Sequence, residues 1–146
     1  MKKELDDYLC TTYPAMFVNR HKSMKESCMC WGFECGDGWF QILNQLCQNI
    51  QHHIDWKNKK EETVPQVVVE QVKEKFGTLR FYYSGGDDYI RGLVSMAESM
   101  SGVTCEECGN PGTLSTSGWW KCKCAEHGGT DFDTDEDDLL KQGFEQ

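Results

Sequence analysis

The sequence predicts an α+β fold: two amphipathic helices around a β-hairpin, followed by a short cysteine-rich module and an acidic tail. Three observations carry that expectation. Trp39, Leu43, Leu46, Ile50 and Ile54 recur on one face of a 3.6-residue period, which marks a helix. The stretch QVVVEQVKEKFGTLRFYYS is rich in β-branched and aromatic residues and is interrupted at Gly77, which marks two strands and a turn. Ile90, Leu93, Val94, Ala97 and Met100 then mark a second helix face. The expected organisation is an α+β core over 1–102, a cysteine-rich module over 103–128 packed on it, and a disordered acidic tail over 129–146.

Each element has local signals. Residues 3 to 10 suit a short helix that stops near TTYP, because the residue before Pro14 disfavours the α region. From there to Gly38 the chain reads as irregular and dense in Gly and Cys. Asp37 stands where the N-cap of the main helix belongs. The charged KNKKEET and Pro65 end that helix. On the second strand Leu79, Phe81 and Tyr83 share one face, with Arg80 and Tyr82 on the other. GGDD supplies a turn and helix caps at Asp87 and Asp88, and Gly102 closes the second helix. No internal repeat is present.

At 146 residues the chain has enough material for one modest core. MKKELDDYLC is charged and is followed by no apolar stretch of a secretory leader. No run reaches the roughly 18 apolar residues of a membrane helix. The nine cysteines are therefore read as thiols and metal ligands in a reducing cytoplasm rather than as disulfides. The net charge is −9. Residues 129–146 hold seven acids and one base, so −6 belongs to the tail and −3 to the rest. A body this short of positive charge disfavours duplex DNA as a partner. Asp131, Asp133 and Asp135 begin like a calcium loop, but Glu136 and Gln142 stand where Gly and Glu are required.

The module carries the strongest pattern. Cys105-x2-Cys108 is followed by Gly109 and an Asn-Pro-Gly turn, and Cys124-x2-His127 repeats the two-residue spacing. Pairs so spaced chelate one ion from a tight turn, and four soft or borderline donors suit tetrahedral zinc. Cys122-x-Cys124 is the other candidate pair, tighter and less natural for two ligands on one ion, so Cys122 is left spare. A catalytic zinc keeps a position open for water, whereas here four protein ligands are available. The expected cofactor is thus a structural zinc in a knuckle or ribbon, and Glu106, Glu107 and Glu126 are expected to be solvated.

Three blocks in order, GFECGDGWF, QVKEKFGTLRFYYSGGDD and CEECGNPG with GWWKCKCAEH, resemble a family of small proteins encoded by tailed bacteriophages and prophages. The resemblance runs from about Trp31 to His127. The family pattern of CxxC, Gly-Trp-Trp and CxxH falls on Cys105, Cys108, Cys124 and His127. It implies a phage accessory protein, acting in the host bacterial cytoplasm, and brings no mechanism with it.

Other constellations are weaker. Cys28, Cys30 and Cys35, with His21 or Cys47, could form a second metal site, although buried cysteine commonly behaves as a small hydrophobe. A nucleophilic cysteine served by His52 or His53 would need an electropositive setting, and Glu34 and Asp37 argue against one. GFECGDGWF reads either as a tight turn with Trp39 in the core or as a ligand-binding loop using Trp31, Gly36, Asp37, Gly38 and Trp39. On the hairpin, Lys73, Lys75, Arg80, Tyr82 and Tyr83 mix bases with aromatics, as a base-stacking surface or an ordinary strand pair would.

No triad, phosphate loop or open metal site assembles. The expected function is therefore binding without catalysis, as a counter-defence or host-takeover factor. It would be either an inhibitor of a host protein or a sponge for a nucleotide signal held by Lys75, Arg80 and Tyr82 near Gly38. The competing expectations are a zinc-dependent hydrolase or nuclease and a nucleic-acid-binding zinc module. An exposed hairpin edge would permit pairing into a homodimer.

Overall fold

A computed structural model describes residues 1–129. The expected acidic tail lies outside the described residues from position 130 onward. Helix α1 spans Lys3–Thr12 and strand β1 Phe33–Glu34, with a 3-10 turn at Cys28–Trp31 between them. A second 3-10 turn, Asp37–Trp39, leads into α2, Phe40–Lys59. Strands β2 (Val68–Lys75) and β3 (Thr78–Ser84) form the hairpin, and α3 covers Asp88–Ser101. Strands β4 (Thr113–Ser115) and β5 (Lys121–Lys123) make a second hairpin, closed by a 3-10 turn at Ala125–His127. The chain is thus α+β, with a three-stranded sheet in the order β1-β2-β3 and a separate two-stranded sheet.

The hydrophobic period decides α2: Trp39, Leu43, Leu46, Ile50 and Ile54 are all buried. They pack with Val67, Val69, Val72, Leu79 and Phe81 of the hairpin and with Ile90, Val94 and Ala97 of α3. Leu79 and Phe81 do face inward while Tyr82 is exposed, as strand alternation requires. The turn joining β2 to β3 is Phe76-Gly77, with φ of +53° and +79°. Asp87 caps α3 by accepting the Ile90 N–H at 3.1 Å.

Gly102 closes α3 as expected, with φ −70° rather than a left-handed turn. Two local expectations are corrected. Asp37 is not the cap of α2: its carboxylate accepts the Lys2 N–H at 2.7 Å, and it opens a 3-10 turn that precedes the helix. The region before Gly38 is not wholly irregular, because Phe33 and Glu34 pair in parallel with Val72 and Lys73. A two-residue strand has no period to reveal it.

Asp6 fixes the N-terminal segment. It is buried, accepts from Arg20 Nε at 2.9 Å and from the Phe33 N–H at 3.2 Å, and so ties α1 to β1. Burial pushes its carboxyl up, but the Arg20 guanidinium and the Phe33 amide outweigh that and hold it below the usual range.

Candidate metal centre

The knuckle is built by backbone bonds. The Cys105 N–H donates to the Asn110 carbonyl at 2.7 Å, and the Gly109 N–H folds back onto the Cys105 carbonyl at 2.9 Å. Cys105 and Cys108 therefore point to the same side. Beyond β5 the chain turns again, with the His127 N–H donating to the Cys124 carbonyl at 3.0 Å. One ligand atom from each of Cys105, Cys108, Cys124 and His127 lies within 4.8 Å of all the others. Cys108 Sγ is 3.7 Å from Cys124 Sγ, while His127 Nδ1 is 3.6 Å from Cys105 Sγ and 3.2 Å from Cys124 Sγ. Tetrahedral zinc would set neighbouring sulfurs about 3.8 Å apart and a sulfur and a nitrogen about 3.6 Å apart. The four side chains form a cluster that can hold a metal ion, and its donor set suits zinc.

The surroundings favour the thiolate at Cys105. Burial raises the Cys105 thiol, but backbone N–H groups of Cys124, Cys108 and Glu107 pull it down, to about 6. For Cys108 the Asn110 N–H lowers the thiol, and desolvation with the adjacent Cys105 and Cys124 outweighs it, so this thiol stands high without a metal. Cys122 is buried in the main core and its thiol is pushed up by burial. It is not one of the four clustered donors, in line with its being left out of the ligand set.

Sequence reasoning missed the roles of Glu106 and Glu107, which are not merely solvated. Glu107 Oε2 lies 3.6 Å from His127 Nε2, while its other oxygen takes Lys123 Nζ at 3.0 Å. At 3.6 Å the former is a charge contact longer than a hydrogen bond, which places a carboxylate beside the outer nitrogen of His127. Glu106 Oε1 accepts the Gly36 N–H at 2.9 Å. Half-burial raises the Glu106 carboxyl even though the Gly36 amide opposes it.

The glycine loop GFECGDGWF proves to be the seat of this knuckle. The Gly38 N–H donates to the Glu106 carbonyl at 2.7 Å, and Trp39 Nε1 donates to the Thr104 carbonyl at 2.9 Å. A Cβ on Gly38 would stand 2.1 Å from the Cys105 carbonyl oxygen, and one on Gly36 would stand 2.3 Å from that of Glu106. The glycines allow this close contact between two backbones. Trp39 is fully buried and offers no surface to a partner, and Asp37 is occupied by Lys2.

The remaining expected contact residues do not converge. Trp31 is 60% exposed on the 3-10 turn before β1. Arg80 pairs with Glu98 of α3 at 3.7 Å, and Tyr82 lines a depression with Asn19, Cys28 and Glu70. Lys75 sits apart, at the tip of the hairpin, beside Phe76. Among the described residues, Cys28, Cys30 and Cys35 do not gather into a metal cluster. Burial pushes the Cys35 thiol up to about 12, the opposite of an activated nucleophile, and His53 is bonded to Asp87 at 2.7 Å.

A surface that the sequence reading passed over lies between the two hairpin tips. Phe76, Trp119 and Trp120 are all exposed there, with Phe76 edge-on to Trp120 at 5.8 Å between ring centres. Its signals were in the sequence: a Phe-Gly turn where Asn-Gly is the common choice, and a Trp pair beside a glycine. No helix among the described residues is long and apolar enough to cross a membrane. Family models, curated proteins and solved structures give no match to this chain.

Proposed function

We propose that the chain is a zinc-stabilised binding protein without catalytic activity, acting on a protein of a bacterial host as a phage accessory factor in the host cytoplasm. The observation that carries this reading is the closed donor set. Four protein atoms within 4.8 Å of one another supply every corner of a tetrahedron. Zinc there folds the C-terminal module, which is otherwise held by two three-residue strands and a few loop bonds. The phage role rests on the three sequence blocks shared with that family, and counter-defence or host takeover is the activity that a small accessory binder of this kind would serve.

A protein partner is preferred to a nucleotide signal for a stated reason. The nucleotide reading needs Lys75, Arg80, Tyr82 and the amides near Gly38 in one place. The Gly38 N–H is already used by Glu106, and Arg80 is paired with Glu98. Native mass spectrometry of the full chain, purified without chelator, tests the proposal. One bound zinc, lost on Cys108→Ser, supports it. A metal-free native chain overturns it. A zinc-dependent hydrolase would instead show turnover that His127→Ala abolishes while the fold survives.

A further inference from the structure

The β2–β3 turn and the loop before β5 meet at the surface. Gly77 packs so closely on the second hairpin that a Cβ there would stand 2.4 Å from Leu114 Cδ1 and 3.0 Å from the Lys121 amide nitrogen. Between the tips is a cleft of about 710 Å³ lined by Glu74, Lys75, Phe76, Gly118, Trp119 and Trp120. Trp119 is 83% exposed, Phe76 59% and Trp120 44%. Three large rings left in water at one spot are unusual for a surface with no partner.

The backbone at Phe76 is a second, independent sign. Its φ of +53° is a left-handed conformation that bulky residues avoid and that Asn, Asp or Gly would adopt more easily. A strained position filled by an exposed aromatic gives up stability, and such strain collects at functional sites. What the strain secures is the placing of the Phe76 ring against Trp120.

We propose that this cleft binds a proline-bearing, extended segment of a partner protein that carries an acidic residue. The proposal rests on the reading of the chain as a protein-binding factor. Flat rings take proline rings face to face, and indole N–H groups donate to the outward carbonyls of a polyproline-II chain. The lining comes from the end of β2, its turn and the loop before β5. Lys75 supplies a cation beside the cleft, its ammonium 5.6 Å from the Phe76 ring centre, and matches the acidic residue. The one lining carboxylate, Glu74, is turned to the turn itself and accepts the Gly77 N–H at 2.7 Å. A single lysine among the lining residues is too little positive charge to track the phosphates of the alternative occupant, single-stranded nucleic acid.

The test is selection of a randomised twelve-residue peptide library on the full chain as purified, with counter-selection on a Trp119→Ala/Trp120→Ala variant. Native mass spectra of both proteins record zinc separately, so a failed zinc assignment is seen as such. The expected result is enrichment of peptides with two or more prolines and at least one Asp or Glu. Their affinity should fall about tenfold on Trp119→Ala and about threefold on Lys75→Gln. No enrichment, enrichment of peptides without proline, or equal retention by the variant overturns the proposal. So does saturable binding of a fifteen-nucleotide oligo-dT that the variant loses, which would assign the cleft to nucleic acid.

Discussion

Gly38 carries a hydrogen where another residue would place a Cβ 2.1 Å from the Cys105 carbonyl oxygen. Neither backbone can retreat without breaking the Gly38–Glu106 bond. Gly38→Ala should therefore cost more than about 2 kcal/mol. The check is the urea midpoint at unchanged slope. Gly92 is the control: it lies within α3 with nothing within 4 Å of its would-be Cβ, so Gly92→Ala should gain up to about 1 kcal/mol. Equal effects at the two sites would refute the close-contact account. Phe76→Asn should raise stability by about 0.5–1 kcal/mol, because Asn accepts a positive φ, and should weaken peptide capture. The clustering of Cys105, Cys108, Cys124 and His127 could be read in the sequence because each pair is spaced by local chain geometry. The purpose of Gly36 could not, because its N–H bonds a side chain 70 positions away. Spacing reports what a short segment does alone, and a close approach belongs to two segments at once.

Among the elements, the long helices and the hairpin were legible because repetition signals them: five apolar residues on α2 and alternation along β3 each repeat one geometry several times. Strand β1 has only two residues, and its pairing with β2 is decided by packing. The contact that brings it there is testable. Asp6 joins Arg20 of the loop to the Phe33 amide of β1, and its side chain is 9% exposed. Asp6→Asn leaves Arg20 without its counter-charge and should cost about 3 kcal/mol at neutral pH. The folded Asp6 carboxyl is held below its ordinary value. Its contribution is therefore complete above the unfolded value of about 3.9 and is lost as pH falls through the lower, folded value. Denaturation midpoints of the two proteins should differ widely at pH 7 and draw together in acid. A gap that stays constant from pH 7 to pH 2 would show that the ion pair is not its source.

For the whole molecule the question is whether residues 103–127 fold as a separate piece. Cys122 of β5 is fully buried within the main core, Trp39 holds the Thr104 carbonyl, and the Gly38 N–H donates to the Glu106 carbonyl at 2.7 Å. These ties cross from core to module, so the two should unfold together. A zinc ion bound at the cluster of the folded chain alone would then stabilise all of it by mass action. Chelation should shift one cooperative thermal transition downward, with core and module reporting the same midpoint. Two resolved transitions, the first alone sensitive to chelator, would instead make the module an independent unit. The cysteines sharpen the experiment because Cys122, in β5, is buried in the core, whereas Cys124, just past the strand, belongs to the four clustered donors. Cys124→Ser should lose the metal and the zinc-dependent part of the stability. Cys122→Ala should keep one zinc and lose about 1 kcal/mol of core packing. If Cys122→Ala lost the metal and Cys124→Ser retained it, the ligand set itself would have to be redrawn, and the seat provided by Gly36 and Gly38 would be holding a different knuckle.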